Sequence, residues 1–184
     1  FQHVSVFFGL LIITGTLAYI TWGTWSSVFW FLVYGNIYSF SNPLWHETGH
    51  KTAFKSKFLN EIFYYISSFM SNFEPIRWRY THFVHHGNTY STENPFDHEI
   101  EYGNDLKETP KRLLINITPF LDLLFFKKHI SFEIILHAFG IKTKVMQDSI
   151  PESARSKVKF NSRIYLFIWL SIIFWSTLAS SWLP

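Results

Sequence analysis

The sequence predicts an all-α integral membrane protein: a transmembrane helical hairpin, then cytoplasmic interfacial helices carrying clustered histidines, then a further transmembrane helix. Three observations predict it. All 16 Lys and Arg and all 13 Asp and Glu residues lie between Glu47 and Arg163, so 1–46 and 164–184 hold no formal charge apart from His3. Those flanks are long apolar runs, in a chain of 184 residues that is 48% hydrophobic and 21% aromatic. Five of the nine histidines fall into two short clusters inside the charged middle, His46/His50 and His82/His85/His86.

The elements follow in order along one membrane domain. A helix needs roughly 20 mostly apolar residues to cross the hydrocarbon layer. Residues 1–42 are long enough for two tight crossings with a turn near Gly23. Residues 43–162 form the charged region. Pro43 marks the first turn of a new helix, where a missing N–H costs nothing. Residues 58–73, "FLNEIFYYISSFMSNF", carry one acid in an apolar run too short to span easily, which suits a helix lying in the interface. Residues 87–99 are turn-rich and predict a loop. The apolar pieces 113–126 and 129–140 are broken by Pro119, Asp122 and Lys127-Lys128 and read as interfacial helices. Residues 163–184 are the clearest span.

Charge placement also orients the chain. Lys and Arg collect on the cytoplasmic side of membrane proteins, so residues 51–163 face the cytoplasm. The basic run from Lys142 to Arg163 suits anionic lipid headgroups, and nucleic acid is not an expected partner. With no cysteine, disulfides, thiolate metal sites and a cysteine nucleophile are excluded. No basic segment precedes the first apolar run, so it does not read as a signal peptide.

The chemistry rests on the histidines. Residues 46–50, "HETGH", fit a zinc-protease helix, with His46 and His50 on the metal and Glu47 activating water. They fit equally an H-x-x-x-H ligand pair. "THFVHHG" adds His82, His85 and His86 at i, i+3 and i+4, which share one helix face. Imidazole serves zinc, iron, copper and nickel alike, so ligand type does not name the metal. Number helps, because catalytic zinc uses three protein ligands and five imidazoles exceed that. Two metal ions or a higher coordination number are expected. The protease reading leaves the second cluster without a role, and a membrane anchor with incidental histidines leaves both without one. Isolated His3, His129 and His137 read as surface or interface residues.

At "HETGHKTAF" and "THFVHHGNTYS" the sequence resembles the integral-membrane fatty acid desaturase and hydroxylase superfamily, which carries H-x-x-x-H, then H-x-x-H-H, then a third cluster beyond further membrane helices. "WR" before the second box and "DHEI" after it are similar to the bacterial branch. The resemblance implies a di-iron centre that uses O2 and two electrons to desaturate an acyl chain, with His46, His50, His82, His85 and His86 as iron ligands. Hydroxylation of an alkane, sterol or carotenoid is the alternative outcome within the superfamily. Glu47, Asp97 and Glu99 are candidates to orient the ligands, and His98 is a candidate further ligand. A separate ferredoxin or cytochrome b5 type protein is the implied electron donor. Arg77, Arg79 and the lysines around Lys55 are candidates to dock that donor or a lipid headgroup. A bacterial inner membrane is the expected location, with the endoplasmic reticulum as alternative. No third histidine cluster occurs in these residues, so the chain reads as an N-terminal fragment with about five of the eight or more ligands of such enzymes.

Overall fold

The structure, a computed structural model, describes residues 2–87 and 130–178. The described residues form eight helices and no strand: α1 Gln2–Ile20, α2 Trp25–Tyr38, α3 Ser41–Gly49, α4 Lys57–Met70, α5 Pro75–Gly87, α6 Ile130–Ala138, α7 Lys144–Ser149 and α8 Glu152–Leu178. They divide into two compact units, residues 1–71 and 72–184. The apolar piece 113–126, most of the expected loop 87–99, and Asp97, His98, Glu99 and His129 lie outside the described residues.

In the first unit, α1 and α2 pack as a hairpin. The turn falls where the sequence predicts it, at Gly23, whose φ of +81° is the left-handed region open to glycine. Gly15 lets α2 come close, since a Cβ there would meet the Tyr34 ring at 3.2 Å. α1 is apolar all round, yet Ile12, Ile13 and Ile20 are exposed. A soluble core helix of this composition would be buried, so the outer face is one that lipid covers. Thr14 and Thr16 satisfy their hydroxyls within the helix, on the carbonyls of Leu10 and Ile12, both at 2.7 Å. α2 is shorter than a crossing, at 14 residues or roughly 21 Å. Its path continues through a tightened turn, with Phe40 N–H on Ile37 O (3.0 Å) and Leu44 N–H on Phe40 O (3.2 Å), straight into α3.

α4 has small polar residues facing inward and apolar ones facing out. Asn60, Ser67 and Ser68 are buried, while Phe58, Tyr65 and Ile66 are exposed. That arrangement suits a helix at an apolar boundary, as its sequence predicts. α4 packs on α3, with the Tyr64 ring against Gly49 and Trp45.

The second unit is built on α8, which packs against α6 and α5. α8 begins at Glu152, well before the apolar run that starts after Arg163, because residues 152–162 place one face, Ala154, Val158 and Ser162, in the core. Met146, Ile150, Ala154 and Val158 form that core, with Ile76 of α5 packed against it. Beyond Arg163, Phe167, Leu170 and Trp175 are exposed. α1 and α8 are the two described helices long and apolar enough to cross a membrane. α6 ends at Gly140 (φ +82°), with Ile141 N–H returned to Leu136 O at 2.9 Å, and Arg163 donates to Ala138 O at 3.0 Å. Tyr165 ties α8 to the chain before α5 through Phe73 O (2.9 Å).

Two glycines give opposite outcomes. Gly23→Ala places a Cβ in the left-handed region and lowers unfolding free energy by about 1 kcal/mol. Gly35→Ala, inside α2 where no described atom lies within 4 Å of the new Cβ, raises it by about 0.5 to 1 kcal/mol. Equilibrium unfolding in mixed micelles reads both signs.

Candidate metal centre

The first histidine pair is fixed by how α3 ends. Pro43 sits in its first turn, as the sequence predicts, and the buried side chains Trp45 and Thr48 define its inner side. His46 is half-buried and His50 exposed. His50 closes the helix, and its N–H still donates to His46 O (3.1 Å), so the two rings stay one turn apart with centroids at 4.6 Å. Lys51, with φ +62°, then turns the chain. Asn60 holds the loop that follows: its side chain accepts from Phe54 N–H (3.1 Å) and donates to Phe54 O (2.7 Å) and Ser56 O (3.0 Å). Glu47 is exposed, with Oε2 at 2.9 Å from the Thr52 hydroxyl. Its other oxygen is 3.7 Å from His46 Nδ1, too far for a hydrogen bond.

The second cluster lies on α5. Glu74 starts that helix, with its carboxylate accepting from Arg77 N–H (2.6 Å) and Ile76 N–H (3.2 Å) and Pro75 in the first helical position. His82 and His86 follow one turn apart, with ring centroids at 4.5 Å and Nε2 atoms 3.1 Å from each other. The His85 ring is farther off, at 6.1 Å from His82 and 5.8 Å from His86.

The nitrogen spacing tests the fit of a metal. Two nitrogens each about 2.1 Å from one ion and at right angles lie about 3.0 Å apart. The His82 and His86 Nε2 atoms have that separation, and both carry lone pairs when each ring is neutral with its proton on Nδ1. The donor set is imidazole only, which iron accepts.

Beneath this cluster runs a buried polar chain that the sequence reading missed. Arg77 is 5% exposed, not available at the surface as its sequence suggests. Its Nε donates to Glu133 Oε2 at 3.0 Å and Nη1 to the Thr81 hydroxyl at 3.2 Å, and the guanidinium lies 4.1 Å from the Trp78 ring. Folding buries it because α6 supplies the countercharge. Glu133 Oε1 accepts from the Thr143 hydroxyl at 3.4 Å, and that oxygen lies 2.8 Å from His137 Nε2. His137 is therefore an interior residue, fully buried, where the sequence predicts surface or interface. Because its one hydroxyl hydrogen points to Glu133, Thr143 accepts hydrogen bonds from Met146 N–H and from His137 Nε2–H. The His137 Nδ1 has no partner among the described residues, and a bare lone pair there costs less than a bare N–H. Burial holds the His137 pKa below its ordinary value, with Glu133 pulling it up and Arg77 pushing it down. The missed signal was spacing: Arg77/Thr81 and Glu133/His137 are each four apart, and Glu74 precedes a proline.

Against known proteins, the family model described as Fatty acid desaturase matches residues 20–184. No curated protein and no solved structure matches the chain.

Burial pushes the Glu74 carboxyl up to about 7, against the pull of the N–H donors of Arg77, Asn161 (2.9 Å) and Ile76 and of the Arg77 charge. Its folded value lies above its ordinary 4.5, so the folded state holds the proton more tightly. This contribution to stability is fully present below about pH 4.5 and is lost as pH rises through about 7, a change on the order of 3 kcal/mol. Thermal unfolding in detergent should show the midpoint falling over that window, and Glu74→Gln should flatten the slope.

Proposed function

Since the chain belongs to the fatty acid desaturase family, we propose that it introduces a double bond into the acyl chain of a membrane lipid at a di-iron centre. The observation that carries this reading is the pair of imidazole nitrogens 3.1 Å apart on α5, in a chain of this family. His46, His50, His82, His85 and His86 are the proposed ligands. Two irons held by these imidazoles would supply activation of O2, the co-substrate, and a separate ferredoxin or cytochrome b5 type protein would deliver the electrons.

The chain's own residues have defined tasks. His82 and His86 hold their Nε2 lone pairs toward one point, which requires both rings neutral with the proton on Nδ1. The apolar exteriors of α1 and α8 keep the protein in the bilayer, where its substrate is. The charged segment between them lies on the cytoplasmic side, by the placement of Lys and Arg. A bacterial inner membrane is the proposed location, and one desaturase-like domain running through both units is part of the same reading. Glu47 is not among the proposed ligands: its carboxylate accepts from the Thr52 hydroxyl and stands 3.7 Å from His46 Nδ1.

Iron content tests this reading on the full-length protein purified in detergent. Wild type should bind iron and release little zinc. His82→Ala, His86→Ala, His46→Ala and His50→Ala should each lose most of it, and Glu47→Gln should keep it. One zinc per chain, indifferent to His82 and His86, would replace desaturation by a protease-type site.

A further inference from the structure

The second histidine cluster occupies the last turns of α5, so its aim depends on the rotation of that helix about its own axis. Among the described residues, apolar contact acts on this helix only in its first turn, far from the histidines, where Ile76 meets the core of the second unit and the buried Trp78 ring stacks on Phe73. A directional contact sets the rotation tightly. Arg77 supplies one: a planar fork, 5% exposed, with Nε on Glu133 of α6 and Nη1 on Thr81, the residue immediately before His82. Glu133 is itself held from behind, by the Thr143 hydroxyl that starts α7, and Thr143 by His137. Glu74 fixes the start of the same helix to Asn161 of α8. Helices α6 and α8 therefore both reach α5 through hydrogen bonds with preferred directions, and Thr143 at the start of α7 braces the α6 contact.

We propose that Arg77 and Glu133 are positioning residues for the metal site, holding the roll of α5 so that His82 and His86 converge on one ion. Neither touches the metal. The proposal rests on the reading of His82 and His86 as ligands. A buried ion pair is a poor source of net stability, because taking both charges out of water costs about as much as their attraction returns, whereas removing one partner strands the other. Its orienting function is thus separable from its contribution to folding.

That separation gives the test. Ferrous iron binding is measured anaerobically on the full-length protein in detergent, alongside the thermal midpoint, for wild type, Glu133→Gln, Arg77→Met, and the double variant Arg77→Met with Glu133→Leu. The single variants should lose both thermal stability and iron affinity. The double variant, with no stranded charge, should recover the thermal midpoint yet remain about tenfold weaker for iron. Conservative Arg77→Lys keeps the charge but loses the fork, and should fold normally with an intermediate loss of affinity. If iron affinity returns together with the midpoint in the double variant, or is unchanged in Arg77→Lys, the pair is a structural element and the proposal is wrong. If instead His82→Ala with His86→Ala leaves iron binding intact in the wild-type background, it is the ligand reading that fails.

Discussion

A surface that lipid covers offers no hydrogen bonds, and that constraint accounts for the placement of most polar groups in both units. Thr14 and Thr16 turn back onto their own helix. Asn60 satisfies a loop from inside, with three backbone partners within 3.1 Å. Glu74, Arg77 and His137 are buried among partners on other helices, while phenylalanines, isoleucines and tryptophans face outward. In water such a distribution would be unstable; against hydrocarbon it is the one that leaves fewest unsatisfied groups.

The same constraint shapes the histidine helices. α3 and α5 are poorer in apolar residues than α1, and each has a buried side held by a few strong contacts. For α3 these are Trp45 and Thr48 on the inner side and the Asn60 latch beyond. For α5 they are the Glu74 cap and the Arg77 fork. In each case the imidazoles sit on the side left open. A ligand ring must be accessible to its ion yet fixed in direction, and short helices with one anchored side meet both demands.

Charge in the interior of the second unit is arranged so that no member stands alone. Arg77 meets Glu133, which meets the Thr143 hydroxyl, which meets a neutral His137. Glu74 is balanced differently, by backbone N–H groups and Asn161. Its raised pKa follows from burial outweighing those donors, and it makes the helix that carries His82 and His86 sensitive to pH at its opposite end.

The sequence by itself determined the helical class, the turn at Gly23, a new helix with Pro43 in its first turn, and both histidine pairs, because each is a local matter: hydrophobic run length, a glycine's free φ, a proline's missing N–H, and the i, i+4 spacing of a helix. It also carried the family, through motif and order. The tertiary structure alone decided that α2 falls short of a crossing and runs on into α3, and that α8 extends back to Glu152 to form the core of its unit. It likewise decided the fates of Arg77 and His137. As residues in a list they read as a surface cation and a surface imidazole. Their burial depends on Glu133 and Thr143 arriving from α6 and α7, and the pairing of side chains 56 residues apart is not written in any local pattern.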